Sequence, residues 1–87
     1  MKNLSLAELQ EIINESAKIN KAYLEIAHTM PYEVRVEYYN NNVASHISSA
    51  ERAIDIITDS PDLDPTKLTG FAKMWYTCRL ADIASMS

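Results

Sequence analysis

Residues 5–31 read SLAELQEIINESAKINKAYLEIAHTMP, and this stretch decides the fold. Ser5 and Glu8 form the S-x-x-E of a capping box, in which each side chain takes the backbone N–H of the other. Glu8, Glu11 and Glu15 follow, and carboxylates are favoured near the positive end of a helix. Apolar residues recur at Leu9, Ile12, Ile19, Tyr23, Ile26 and Met30, with Ser16 as the one polar position in the seam. Their steps of three, four and seven match a coiled-coil repeat. Leu6, Ile13, Ala17, Leu24 and Ala27 widen the stripe, so the helix needs more than one packing partner. Lys21 and Glu25 make an i,i+4 pair on the wet side. The pattern predicts a helix over about residues 6–29, stopped by Pro31, because the residue before a proline avoids the α region.

Thr29 is a candidate N-cap for the next element. Tyr32, Val36, Tyr39, Val43, Ile47, Ala50, Ile54 and Ile57 then keep steps of three and four, which predicts a second long helix over about residues 31–58. A competing pattern lies inside it. Tyr32, Val34, Val36 and Tyr38 alternate with Glu33, Arg35 and Glu37, which is strand period. A strand needs a partner strand and the chain offers none, so residues 32–39 read as helix with strand as the alternative. Asn40, Asn41 and Asn42 are poor helix formers and a place for the helix to fray or kink.

Asp59-Ser60-Pro61-Asp62-Leu63-Asp64-Pro65 is a loop by composition. Asp64 is placed to cap a third helix with Pro65 in its first position. Leu68, Phe71, Ala72, Trp75, Cys78, Ala81 and Ile83 give that helix its apolar side, to about Ala84. The expected architecture is all-α: a single domain over residues 1–87, built as a long antiparallel helical hairpin of about 35–40 Å with a third helix closing a three-helix bundle. Apolar stripe left over along the hairpin predicts a homo-oligomer.

The bulk composition excludes several classes. The chain has 87 residues and one glycine, Gly70. Phosphate-cradling loops and tight β-hairpins need more glycine than that. Cys78 is the only cysteine, so no disulfide can close within the chain, and it is expected as a small buried apolar residue. Eight bases against twelve acids give a net charge of −4, and the bases are scattered. A nucleic-acid polymer needs a basic stripe and is not an expected partner. No apolar run approaches the roughly 20 residues of a membrane span, and MKNLSLAELQ lacks the form of a signal peptide. No membrane partner and a cytoplasmic location are expected.

Possible chemical sites were weighed against plain structural roles. Glu25 and His28 form an E-x-x-H, half of a di-metal carboxylate motif. The second copy is missing, since Val43 stands three residues before His46, and His28 suits the negative end of the first helix. Asp59, Asp62 and Asp64 lack the alternation, glycine and closing glutamate of a calcium loop. Ser45, Ser48 and Ser49 lie near His46 without the glycine-flanked turn of a hydrolase nucleophile. No metal, no cofactor and no enzymatic activity are expected. The cluster Tyr32, Arg35, Tyr38, Tyr39 and Asn41 is the candidate binding site. Tyr38 and Tyr39 point about 100° apart, so one is expected to be exposed beside Arg35. Exposed Tyr with Arg suits a protein partner, and equally a stacked base with its phosphate. A solvated helix face with tyrosines at its edge is the plain alternative.

Met30-Pro31, Arg35, Val43, Ile47 and the run Ala50-Glu51-Arg52-Ala53-Ile54 resemble the helical hairpin of phage-encoded cyclic-nucleotide sponge proteins, the anti-CBASS and anti-Thoeris families. The resemblance covers about residues 19–56; the Trp75-bearing third helix lies outside it. It implies an oligomer that sequesters cyclic di- or trinucleotide immune signals without cleaving them, with Arg35 on phosphate and a tyrosine on a base. The residues themselves favour another expectation: a phage-type inhibitor or adaptor in the host cytoplasm. It would act on a host or phage protein, and its acidic face Glu8, Glu11 and Glu15 would meet a basic partner. A structural subunit of a larger assembly is the third reading.

Overall fold

The computed structural model describes residues 4–86, and every regular element among them is helical. The order is α1 (Leu6–Ala27), α2 (Tyr32–Asn42), α3 (Ala44–Asp59), a 3-10 turn (Pro65–Lys67) and α4 (Gly70–Met86). The all-α expectation holds, with four helices in place of three.

α1 starts as its capping box dictates. The Glu8 N–H donates to Ser5 Oγ and the Ser5 N–H to Glu8 Oε1, each at 3.2 Å. α3 runs antiparallel to it. Leu9 and Ile13 of α1 pack with Ala50, Ala53, Ile54 and Ile57 of α3, and Leu68 and Ala72 complete the core. The alanines let the two backbones approach. Ser16, the polar seam residue, is buried and turns its hydroxyl back to the Ile12 carbonyl at 2.9 Å. No buried side-chain nitrogen or oxygen among the described residues lacks a partner. Beyond Ala17 the cover thins: Ala27 is buried and Ile19 and Tyr23 are half-buried, but Leu24 and Ile26 are exposed.

The long second helix is kinked into two at Val43 (φ −120°, ψ −43°), directly after the asparagines. Asn42 Nδ2 donates to the Tyr38 carbonyl at 3.1 Å, a side-chain bond of the kind that competes with regular helix. The ladder still bridges the kink, since the Val43 N–H reaches Tyr39 O and the Ile47 N–H reaches Val43 O. Val43 is driven into the interior at 1% exposure, and burying it sets the change of direction. The strand alternative for residues 32–39 is not adopted. Thr29 does not cap α2; its hydroxyl donates to the Ile26 carbonyl, and Pro31 holds the cap position without a side-chain bond.

The third helix begins later than predicted. Asp64 caps only the 3-10 turn: the Thr66 hydroxyl and N–H both donate to its Oδ1, at 2.6 and 3.0 Å. Leu68 then leaves helical geometry (φ −69°, ψ 146°) to enter the core. Gly70 turns the chain into α4 at φ +59°, a region that penalises any Cβ. The first turn of α4 is closed from α1. Gln10 Oε1 accepts from the Thr69 N–H at 2.8 Å, and Asn14 Oδ1 accepts from the Ala72 N–H at 2.9 Å. Trp75 and Tyr76 lie half-buried on the core. Cys78 is exposed, not buried, because α4 turns Ala72, Tyr76 and Arg79 inward and leaves position 78 roughly a third of a turn away. Lys21 and Glu25 form no ion pair; among the described residues Arg79 pairs with Asp55 at 3.5 Å, joining α4 to α3.

Three predictions follow from the caps and from Gly70. Asn14→Ala should cost about 1 kcal/mol, the typical loss of a helix cap, and Gly70→Ala about 1–2 kcal/mol from its left-handed backbone, both read from urea unfolding. The Thr66 hydroxyl and N–H hold the Asp64 carboxyl below its ordinary 3.8. That stabilisation is complete above the unfolded value and lost as pH falls through the lower folded one. Asp64→Asn should therefore flatten the acid limb of the stability–pH profile below about pH 4.

Candidate functional site

The predicted tyrosine cluster lies on α2, and the helix is rotated from its expected setting. The inward row is Arg35, Tyr39 and Val43, at i, i+4 and i+8, with Arg35 and Tyr39 half-buried. Tyr32 and Val36, expected on the core side, are exposed, Tyr32 at 70%. No residue of α2 itself is buried.

Tyr38 is exposed, at 37%, and Tyr39 is half-buried, so one of the pair is exposed as expected. Both reach Tyr23 of α1, which the sequence placed only as a seam residue. Tyr38 stacks on it at 5.9 Å between centroids and 12° between planes; Tyr39 meets it edge-on at 5.4 Å and 61°. The tyrosine exposed beside Arg35 is Tyr32, with the guanidinium carbon 5.7 Å from its ring centre. Asn41 is exposed on the opposite side of α2 from the Arg35 row. The five predicted residues thus divide: Tyr38 and Tyr39 fasten α2 to α1, exposed Tyr32 and half-buried Arg35 form a cation–π pair, and Asn41 stands apart.

A second site lies between α1 and α3. A groove of about 540 Å³ has Leu4, Ile12 and Ser16 along its floor. Glu8, Glu11 and Glu15 form one wall, and His46 and Ser49 form the other. The three glutamates reach one wall because steps of three and four return to one helix face. The floor is open because Ser16 and Ser49 are short where the helices meet. Both hydroxyl protons are already used, Ser16 on Ile12 O and Ser49 on Ser45 O at 3.0 Å. Carboxylates and hydroxyls therefore present acceptors to the groove. Glu11 and Glu15 have no ion-pair partner among the described residues. The sequence exposes the acidic row directly; it shows His46 and Ser49 only as neighbours of each other, because facing the row depends on how α3 registers against α1.

The other constellations stay dispersed. Among the described residues no group of three or more His, Cys, Asp or Glu side chains could hold a metal ion, and no helix is long and apolar enough to cross a membrane. Comparison with protein-family models, curated proteins and solved structures gives no match.

Tyr23→Leu keeps apolar bulk and removes both ring contacts. It should cost about 1–2 kcal/mol and raise amide exchange in α2 well above that in α3, measured by hydrogen-exchange mass spectrometry.

Proposed function

We propose that the protein is a non-enzymatic binding protein of the inhibitor or adaptor type, which takes a basic amphipathic segment of another protein in the α1–α3 groove. The observation that carries this reading is the groove's chemistry: three carboxylates on one wall, His46 and the donor-spent Ser49 on the other, and a floor of Leu4, Ile12 and the donor-spent Ser16. Such a lining favours Lys and Arg side chains on a segment that also offers leucine-like residues, the helix-in-groove mode of recognition. The net charge of −4 adds long-range attraction for a cationic partner.

A designed amphipathic helix with lysines along one face and leucines along the other is the probe, followed by fluorescence anisotropy and stopped flow. It should bind, and its affinity should fall with salt. Glu11→Lys with Glu15→Lys should slow association about tenfold or more at low salt while the melting temperature stays near that of the parent. Unchanged association in that variant, or equal binding of a lysine-free peptide, defeats the reading.

A second reading rests on Tyr32 and Arg35, an exposed ring beside a guanidinium, which suits a base and a phosphate. It is the cyclic-nucleotide sponge. Thermal unfolding against a panel of cyclic di- and trinucleotides tests it: ligand at about 100 times its dissociation constant should add about 2.7 kcal/mol, and Tyr32→Ala with Arg35→Ala should remove the shift. No shift with any nucleotide excludes it.

A further inference from the structure

The period-2 pattern of residues 32–38 has a geometric consequence on a helix. Residues two apart on a helix point about 200° apart, so alternating apolar side chains are thrown onto two opposite faces. One face of α2 meets the body through Tyr39 and, past its end, Val43. The other carries Val34, 50% exposed, and at its edge Tyr38, 37% exposed beside its stack on Tyr23, around a shallow hollow shared with Glu37, Asn41 and Asn42. Leu24, at the uncovered end of α1, is 60% exposed. α2 is an unfavourable helix to leave in this state. It has 11 residues, two valines and three asparagines, and none of its side chains is buried. Isolated helices of that length are marginal even with good formers.

We propose that the outer face of α2, with Val34 and Tyr38, and the Leu24 end of α1 form the contact surface for a second copy of this chain, packed across a two-fold axis. Size supports this occupant. The chain exposes 6195 Å², against about 5,200 Å² for a compact monomer of its mass. Its radius of gyration is 14.5 Å, against about 12 Å. The surplus, about 1,000 Å² over the whole molecule, leaves room for the roughly 800 Å² that each partner buries in a standard interface. Charge supports it as well. A two-fold interface must be self-complementary. The two elements carry flanks of opposite net sign: on α2 exposed Glu33 and Glu37 outweigh half-buried Arg35, and on α1 exposed Lys18 and Lys21 outweigh exposed Glu25 beside Leu24. Crossing α2 of one copy over α1 of the other sets Val34 against the partner's Leu24 and acid against base, twice. The proposal does not use the α1–α3 groove and stands independently of the function proposed for it.

Sedimentation equilibrium on the full chain, from micromolar to hundred-micromolar concentration, tests this. The expected result is a concentration-dependent dimer of twice 9.8 kDa. Leu24→Lys with Val34→Lys, both at exposed positions, should weaken it at least about tenfold with the circular-dichroism melt still cooperative. Met74→Lys, an exposed apolar position on α4, should leave it unchanged. Lys21→Glu should weaken the dimer and adding Glu37→Lys should restore it. A monomer at every concentration overturns the proposal. So does a dimer indifferent to Leu24→Lys with Val34→Lys, one equally sensitive to Met74→Lys, or one that the charge swap leaves weakened. Glu11→Lys with Glu15→Lys should leave the dimer intact, which separates this surface from the groove.

Discussion

Two amides on α1 hold the fold together. Gln10 and Asn14, one turn apart, accept from the Thr69 and Ala72 N–H groups and close the first turn of α4 from outside it. A helix start leaves four N–H groups without intrahelical partners, and α4 has no box of its own like that of Ser5 and Glu8. It also has little else to fix it, since Ala72 is its one buried residue. The caps set α4 in register on α1. From that register Leu68 enters the core, Trp75 and Tyr76 pack against it, and Arg79 reaches Asp55. Without the caps, the apolar surface of α4 alone would leave its position along α1 poorly determined.

Stability is distributed unevenly as a result. The end of the molecule containing Leu9, Ile13, Ile54, Ile57 and Leu68 is close-packed and capped on three elements. The other end hangs on Val43 and the three tyrosine rings. Local opening free energies follow buried contacts, so α2 is the element that opens first. The acidic groove between α1 and α3 belongs to the rigid end. The tyrosine arm belongs to the compliant end.

What the sequence reveals follows the same division. α1, its capping box, the stop at Pro31 and the buried Ser16 are legible because local rules and tertiary packing agree there. The apolar stripe of α3 is legible for the same reason. α2 is not. Its helical stripe through Tyr32 and Val36 competes with its alternation, and the need to bury Val43 and seat Tyr39 on Tyr23 decides the rotation, which no local pattern encodes. The start of α4 is missed because Asp64-Pro65 is a genuine cap signal spent on a single 3-10 turn, while the true start relies on side chains nearly sixty residues away. Cys78 is misplaced for the same reason: the inward row of α4 lies roughly a third of a turn away from position 78, and the rotation of α4 on the core is set by those distant contacts. At the candidate site the glutamate row is readable and the opposing wall is not, because His46 and Ser49 join it only through helix pairing.

The alternation in residues 32–38 has one more consequence. Tyr-Glu-Val-Arg-Val-Glu-Tyr is held as helix by its neighbours, against the preference of its valines and tyrosines for extended backbone. Released from Tyr23, the segment would present a short, β-prone edge of the kind that recruits identical chains into fibrillar stacks. Its charges, at every second position, act as gatekeepers against that route. Docking α2 is thus a safeguard of solubility as well as a matter of shape.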